Sequence, residues 1–160
     1  MKKTLSILLF IFLVIFLFVS SCAKTEQQNS PKNVPIKSFD DVSKLTPEQV
    51  VKLYFQSWND KKYDVMYSAI SDGFKQIEPT AKTFEDFKAY LSKFYETSSG
   101  INIVEVKETY KNEKEAGIDY KIEIINKDHS KKEFSSTYTL KKKTNGWKLI
   151  HPYGQNIDAT

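Results

Sequence analysis

The sequence predicts an α+β domain in which a helical hairpin and a third helix pack on an antiparallel sheet. Apolar side chains between residues 45 and 98 recur every three or four positions, which is the period of a helix face. Two segments in this half begin with residues that cap helices. From residue 101 onward the apolar period changes to two, as in half-buried strands. Helices followed by consecutive antiparallel strands are typical of the α+β class.

The first helix is predicted to begin at a capping box. Thr46 stands at the N-cap position and Gln49 at the third helical position, while Pro47 occupies the first, where its missing N–H costs nothing. Leu45 and Val50 are placed to pack against each other across the cap. One apolar stripe follows, formed by Val50, Val51, Tyr54, Phe55 and Trp58.

Two further helices and a short strand are predicted before residue 101. Residues 59–62 interrupt the apolar stripe, and so short a connection predicts a helical hairpin whose second helix ends at Gly73. Residues 74–78 are predicted to form a short strand. Thr83 is predicted to cap the third helix, with Asp86 at its third position. The buried face of this helix is predicted to be Phe84, Phe87, Tyr90, Leu91, Phe94 and Tyr95.

Four strands are predicted after residue 100. The first covers residues 101–110, the second and third alternate apolar and polar side chains over 118–124 and 134–140, and the fourth begins at Trp147. Asn145-Gly146 before it is a strong hairpin turn signal, which requires positive φ at both central positions.

The first of these strands is predicted to be bulged. Its apolar phase changes between Ile103 and Val104, which indicates a β-bulge or strong curvature. Whichever phase faces inward, it carries a glutamate, either Glu105 or Glu108. These two residues are the weak candidates for acid–base chemistry. The alternative interpretation is that the glutamate lies near an open strand end and reaches solvent.

The N-terminal segment predicts export and lipidation. Lys2 and Lys3 precede an apolar run over residues 5–19, which is the construction of a secretory signal peptide. Val19-Ser20-Ser21-Cys22 resembles the bacterial lipobox, which implies that the Cys22 thiol receives a diacylglycerol and that the chain is cut before it. Cys22 is the single cysteine of the chain, so an intrachain disulfide is excluded. An uncleaved membrane anchor is the alternative, although residues 5–21 would span only about 25 Å of a hydrocarbon core of about 30 Å.

Composition excludes several classes of function. Without Lys2 and Lys3, 22 of the 24 lysines remain against 20 acidic residues, so the side-chain charge is near +2. The chain has no arginine, the residue that most often contacts phosphates and guanine bidentately, so nucleic-acid binding is not expected. His129 and His151 stand far apart, and neither a metal site nor a cofactor is expected. No nucleophile or phosphate-loop motif is present.

The run Lys141-Lys142-Lys143 is interpreted as a solvated hairpin tip or as a contact for an anionic surface.

The order of predicted elements resembles that of nuclear transport factor two-like domains. The opening helix from Thr46 to Phe55 and the closing segment Asn145-Gly146-Trp147-Lys148-Leu149 carry this resemblance. It implies a cone in which a curved sheet wraps around the helices, and it implies pairing of two copies through the sheet. Some relatives are enzymes such as ketosteroid isomerase and polyketide cyclases. The residues placed to line a pocket in such a cone are Tyr54, Trp58, Tyr90, Tyr120, Tyr138 and Trp147.

These interpretations predict a signal peptide at residues 1–21, a lipidated cysteine and flexible tether at 22–44, the domain at 45–155 and a tail at 156–160. The sequence favours a non-enzymatic binding module that is held on the outer face of the cell membrane by lipid on Cys22. An envelope protein, a wall polymer or an apolar ligand is the expected partner. A small pocket enzyme that uses a glutamate in the cone, of the isomerase or cyclase type, is the alternative.

Overall fold

The computed structural model describes residues 42–154 and 156–158, so the predicted signal peptide, Cys22 and most of the predicted tether lie outside it. Its helices are α1 Pro47–Asn59, α2 Tyr63–Ala69, α3 Asp72–Ile77 and α4 Phe84–Thr97, with a 3₁₀ turn at Pro79–Ala81. Its strands are β1 Ser98–Lys111, β2 Glu115–Asn126, β3 Lys131–Lys143 and β4 Gly146–Leu149. Across this part of the chain, no helix is long and apolar enough to cross a membrane.

The four strands form one antiparallel sheet in the order β1-β2-β3-β4. Each strand pairs with its neighbour in sequence, and the helices cover one face of this meander. The core between helices and sheet includes residues that are almost completely buried on both sides, among them Phe55, Met66, Ile118, Leu140 and Leu149. This arrangement confirms the predicted α+β cone.

Local capping explains where the two long helices begin. The Thr46 hydroxyl accepts from the Gln49 N–H at 3.3 Å, and the Gln49 side chain accepts from the Thr46 N–H at 2.9 Å. At the start of α4 the Thr83 hydroxyl accepts from the Asp86 N–H at 3.1 Å. Each pair satisfies N–H groups that have no partner inside the helix. Both predicted helix starts are confirmed.

Asn59 at the end of α1 ties this helix to the sheet. Its side-chain amide donates to the Ile101 carbonyl at 2.6 Å and accepts from the Ile101 N–H at 2.7 Å. The residue that interrupts the helical pattern in the sequence therefore satisfies both backbone polar groups of a residue in β1.

The segment after α2 is helical, so the predicted strand at residues 74–78 is wrong. The second helix ends at Ala69, and Ser71 caps α3 by accepting from the Phe74 N–H at 2.9 Å. The Ser-Asp-Gly triplet that resembles a helix end is thus a helix start, because serine and aspartate both favour an N-terminus.

The register of β1 against β2 confirms the predicted bulge. Ile103 pairs with Ile122 and Glu105 pairs with Lys121, which leaves Val104 without an opposite residue. The extra residue reverses the inward phase of the strand, so that Val106 is buried after it while Val104 is 47% exposed.

The β3–β4 hairpin differs in detail from its prediction. Lys143 pairs with Gly146, so Thr144 and Asn145 form the turn. Of Asn145 and Gly146, only Gly146 has positive φ, at 106°, and the expectation of positive φ at Asn145 is wrong. A Cβ at Gly146 would lie 2.8 Å from the Ser43 Cα. This close approach requires glycine for a second reason, and it brings the residues just before α1 against the hairpin.

Val42 extends the core to the N-terminal side of the predicted domain start. It lies in the stretch predicted as a tether, yet it is only 4% exposed, and its carbonyl accepts from the Leu45 N–H at 3.2 Å. The packed part of the chain therefore includes residues that precede the capping box.

Candidate functional site

A cluster of aromatic rings fills the space between α1 and the sheet. Tyr120 of β2 and Tyr138 of β3 stack with their ring centroids 4.6 Å apart. From α1, Phe55 lies 4.9 Å from Tyr120, and Tyr54 lies 6.1 Å from Tyr138. These separations are those of packed aromatic pairs. The inside of the cone, where the resemblance implies a pocket, is occupied at this level by side chains of the protein itself.

The phenols in this cluster are held in the neutral form. Burial raises the pKa of Tyr54 far above its ordinary value, and the nearby Tyr120 and Tyr90 add to the shift. Burial also raises the pKa of Tyr138 well above its usual range, with further contributions from Tyr54 and Tyr120. A buried phenolate is unfavourable because water no longer solvates its charge. These hydroxyls are therefore hydrogen-bonding groups at physiological pH and not bases.

We expect this cluster to make the domain sensitive to alkali. In the unfolded chain Tyr54 and Tyr138 ionise near pH 10, whereas in the folded chain they keep their protons above that pH. The unfolded state then binds fewer protons, so the free energy of unfolding falls as pH rises. The free energy that these tyrosines contribute to stability is complete below pH 10. Above pH 10, the free energy of unfolding declines by about 1.4 kcal/mol per pH unit for each tyrosine.

Urea unfolding at several alkaline pH values, together with absorbance titration of tyrosinate, measures this effect. The variants Tyr54→Phe and Tyr138→Phe should each flatten the decline by the contribution of one proton. If both phenols ionised near pH 10 in the folded protein, the cluster would not be buried as described.

The predicted pocket residues are brought together only in part. Trp58 continues the cluster, since its ring lies 6.4 Å from that of Tyr54, and its buried indole N–H has no hydrogen-bond partner among the described residues. Tyr90 is 55% exposed, so its prediction as part of the buried face of α4 is wrong. Trp147 is buried in β4, where the Lys142 ammonium lies 5.3 Å from its ring centroid.

The two candidate glutamates lie on opposite faces of β1. Glu105 is exposed and lies opposite Lys121 in the strand register, on the outer face of the sheet. Glu108 is half-buried and lies opposite Ile118, which is fully buried on the inner face. The two residues are three positions apart and therefore alternate to opposite faces, and the bulge at Val104 decides which of them faces inward. Of the two, Glu108 is the one on the face that the helices cover.

The two histidines take no part in a common site. His129 is exposed in the β2–β3 turn with a positive φ of 66°. The His151 Nε2 lies 3.7 Å from a Glu78 carboxylate oxygen. In the described ranges 42–154 and 156–158, no three histidine, cysteine, aspartate or glutamate side chains come together as metal ligands would.

A recessed site lies outside the cone, beside the β3–β4 hairpin. We call it the hairpin groove. It is a cavity of about 540 Å³ between the α2–α3 connection, the hairpin and the last described turn of the chain. Its walls are formed by Ser68, Ile70, Ser71, Asp72, Gly73, Lys75, Gln76, Lys143, Thr144, Asn145, Lys148, Ile157 and Asp158.

Asp158 forms the buried wall of the hairpin groove. It is 4% exposed, and its carboxylate accepts from the Ser71 hydroxyl at 2.7 Å. The Lys143 ammonium lies 3.8 Å from this carboxylate, and it donates to the Asp158 carbonyl at 3.1 Å, as does the Lys141 ammonium. A Cβ at Gly73 would lie 2.4 Å from a carboxylate oxygen of Asp158, so the glycine makes this approach possible. Two lysines of the basic run thus hold the last described turn in place.

Lys148 supplies the most buried positive charge of the hairpin groove. It is 6% exposed, and its ammonium donates to the Ser68 carbonyl at 2.6 Å. Burial lowers the pKa of Lys148, the neighbouring Lys75 lowers it further, and Asp72 opposes the shift. A negative charge placed beside this ammonium would favour its charged form.

The hairpin groove is not predicted by any local pattern in the sequence. Its walls come from three segments near residues 70, 145 and 157, and no motif spacing connects them. One signal was present: Lys148 stands between Trp147 and Leu149 in a strand where all four residues are buried. A lysine in a wholly buried strand requires a polar partner.

Among known proteins, solved structures are similar to this chain at low sequence identity. No curated protein matches the chain in sequence. Among solved structures, a SEC-C motif containing protein from Rhodopseudomonas palustris is similar over 72% of this chain and 90% of its own, with a TM-score of 0.51 and 9% identity. A cystatin-like protein of unknown function from Nostoc punctiforme covers 64% of this chain and 82% of its own, with a TM-score of 0.48 and 10% identity.

The comparison with protein families is more specific. The family described as the NTF2-like N-terminal transpeptidase domain matches residues 46–152. The match begins at the capping residue of α1 and ends just beyond β4, so it includes every helix and strand of the described structure. The chain therefore belongs to the family of NTF2-like N-terminal transpeptidase domains.

Proposed function

We propose that this protein is a non-enzymatic binding module, held on the outer face of the cell membrane by lipid on Cys22, and that it recognises its partner through the hairpin groove. One observation carries the binding part of the proposal: the recessed polar space lies outside the cone, whereas the cone interior is packed with aromatic rings. A pocket enzyme of this fold would need its reactive group in the space that these rings occupy.

The family assignment supports an accessory role. The family is described as an N-terminal domain of transpeptidases, which favours a domain that assists chemistry performed elsewhere. A partner in the cell envelope, either a protein or a wall polymer, is consistent with such a role and with the predicted export signal.

The outer face of the sheet is a weaker candidate for the binding surface. Its charged side chains already pair across the strands, since Lys121 lies 2.8 Å from Glu133 and Lys131 lies 3.0 Å from Glu123. Asn102 donates to the same Glu123 carboxylate at 2.9 Å. A partner would have to displace these contacts, whereas the hairpin groove offers an existing recess.

Photo-cross-linking in intact cells tests the binding part. A photoreactive amino acid is placed at position 76 or 145, which are exposed residues on the rim of the groove, and at position 135 on the exposed part of β3 as a matched control. We expect an adduct of defined mass from the two groove positions and none from position 135. Adducts from position 135 alone would place the binding surface on the sheet and contradict the proposal.

The enzymatic alternative makes a different prediction for Glu105 and Glu108. Under the binding proposal, the variants Glu105→Gln and Glu108→Gln should fold and should give the same adducts from positions 76 and 145 in the same yield. Because Glu108 lies on the covered face of β1, the Glu108→Gln variant is the more stringent of the two tests. Loss of the adducts in a folded Glu108→Gln variant would favour a role for the cone instead.

A further inference from the structure

Among the described residues around the hairpin groove, one positive charge has no carboxylate partner. Lys75 pairs with Asp72 at 3.1 Å, and Lys143 lies 3.8 Å from Asp158. Lys148 contacts only a neutral carbonyl group, and within residues 42–154 and 156–158 no carboxylate oxygen lies within ion-pair distance of its ammonium. Among the described residues that line the groove, three lysines therefore face two aspartates, and the lysine without a carboxylate at ion-pair distance is the most deeply buried of the three.

An uncompensated buried ammonium is unfavourable by itself. Removal of the ammonium from water penalises its charged form, and one carbonyl hydrogen bond offsets this penalty only in part. The ammonium has three N–H donors, of which the Ser68 carbonyl takes one. An anionic group in the groove would accept from the remaining donors and neutralise the charge. A single negative charge suffices, because the other two lysines already face carboxylates.

The remaining walls indicate what else the ligand carries. Gln76, Thr144 and Asn145 offer amide and hydroxyl groups, which donate and accept hydrogen bonds without charge. A cavity of about 540 Å³ is far larger than an inorganic ion and is in the size range of sites for small organic molecules. A ligand that satisfies these walls has several hydroxyl or amide groups beside its anion.

We propose that the hairpin groove binds a polyhydroxylated molecule with one singly charged anionic group, with the anion at Lys148 and the hydroxyl groups at Gln76, Thr144 and Asn145. This inference rests on the proposed function of the groove as the binding site. A sugar that carries a carboxylate and a phosphodiester of a polyol share this chemistry. Either group is a single negative charge surrounded by hydroxyls.

Calorimetric titration of the full chain, purified in detergent, tests the proposal with three probes. Glucuronate represents the carboxylated sugar, glycerophosphoglycerol represents the polyol phosphodiester, and glucose is the neutral control. We expect at least one of the two anions to bind ten-fold or more tightly than glucose. Binding of glucuronate alone assigns a carboxylate to the site, and binding of glycerophosphoglycerol alone assigns a phosphodiester. Equal affinity for all three probes would overturn the proposal.

Variants locate the anion within the groove. Lys148→Met keeps the length of the side chain and removes its charge, and it should weaken anion binding at least ten-fold. Lys88→Met removes an exposed lysine of α4 and should leave the affinity unchanged. If Lys148→Met does not fold, Lys75→Gln decides the question, because Lys75 is a second cation of the same groove and its loss should weaken binding several-fold. Unchanged affinity in a folded Lys148→Met variant would also overturn the proposal.

The outcome is separable from that of the proposed function. Adducts from positions 76 and 145 that persist in Lys148→Met, without anion binding, would retain the groove as a binding site for a partner of different chemistry. Absence of both adducts and anion binding would remove the two proposals together.

Discussion

Replacement of Phe55 by alanine is expected to reduce the free energy of unfolding by about 3–5 kcal/mol. Phe55 is 1% exposed, and its ring contacts those of Tyr54, Tyr120 and Tyr138 at centroid separations of 5.8, 4.9 and 6.1 Å. Its truncation would leave a cavity at the point where α1 meets β2 and β3. Domains of this size are stable by about 5–15 kcal/mol, so the loss is about a fifth of the total or more.

Urea unfolding followed by tryptophan fluorescence measures this loss, because Trp58 lies beside the cluster. Phe134→Ala is the matched control, since Phe134 is 48% exposed at the edge of the same cluster, with its ring 6.2 Å from that of Tyr120. We expect this control to cost about 1 kcal/mol or less. Equal costs for the two variants would mean that the aromatic cluster is not the centre of the core.

The parts of the fold that follow from local physics were predictable. The starts of α1 and α4 depend on side chains three residues apart, so the sequence of each cap contains its own explanation. The bulge at Val104 was also visible, because an extra residue must shift every later side chain to the other face. In both cases the determining residues are neighbours in the chain.

The helix α3 was predicted wrongly because its cap has two roles. The Ser71 hydroxyl accepts from the Phe74 N–H as an ordinary N-cap and donates to the Asp158 carboxylate, a residue 87 positions away. The second contact stabilises a helix start that the triplet Ser-Asp-Gly does not reveal, since the same residues also end helices and form turns. A contact over this sequence distance has no signature in a local pattern.

The candidate site was unpredictable for the same reason. The sequence suggested aromatic pocket residues, and Tyr54, Tyr120 and Tyr138 do come together, but they pack against one another. The recess forms instead where the α2–α3 connection meets the β3–β4 hairpin. Lys148 and Asp158 are brought to the same groove by that meeting. Their partners become visible only when the strands are in register and the last turn has folded back.

Replacement of Cys22 by alanine is expected to abolish incorporation of fatty acid and to release the protein from the membrane. Each buried methylene of an acyl chain contributes about 0.8 kcal/mol to membrane binding, and a single chain holds a protein only marginally. Stable anchoring therefore requires the two or more chains that a lipidated cysteine carries. Because Cys22 is the single cysteine of the chain, no other thiol can take its place.

Labelling of cells with a radioactive fatty acid, followed by separation of membrane and soluble fractions, measures both effects. Ser21→Ala is the matched control, since it keeps a small residue before the cysteine, and it should be labelled and membrane-bound like the natural chain. Cys22→Ser removes the thiol with a minimal change of shape and should behave like Cys22→Ala. Label that persisted in Cys22→Ala would refute lipidation at this residue. A natural chain that remained in the membrane without label would instead identify the apolar run over residues 5–19 as an uncleaved anchor, because that run is the other segment able to bind the bilayer.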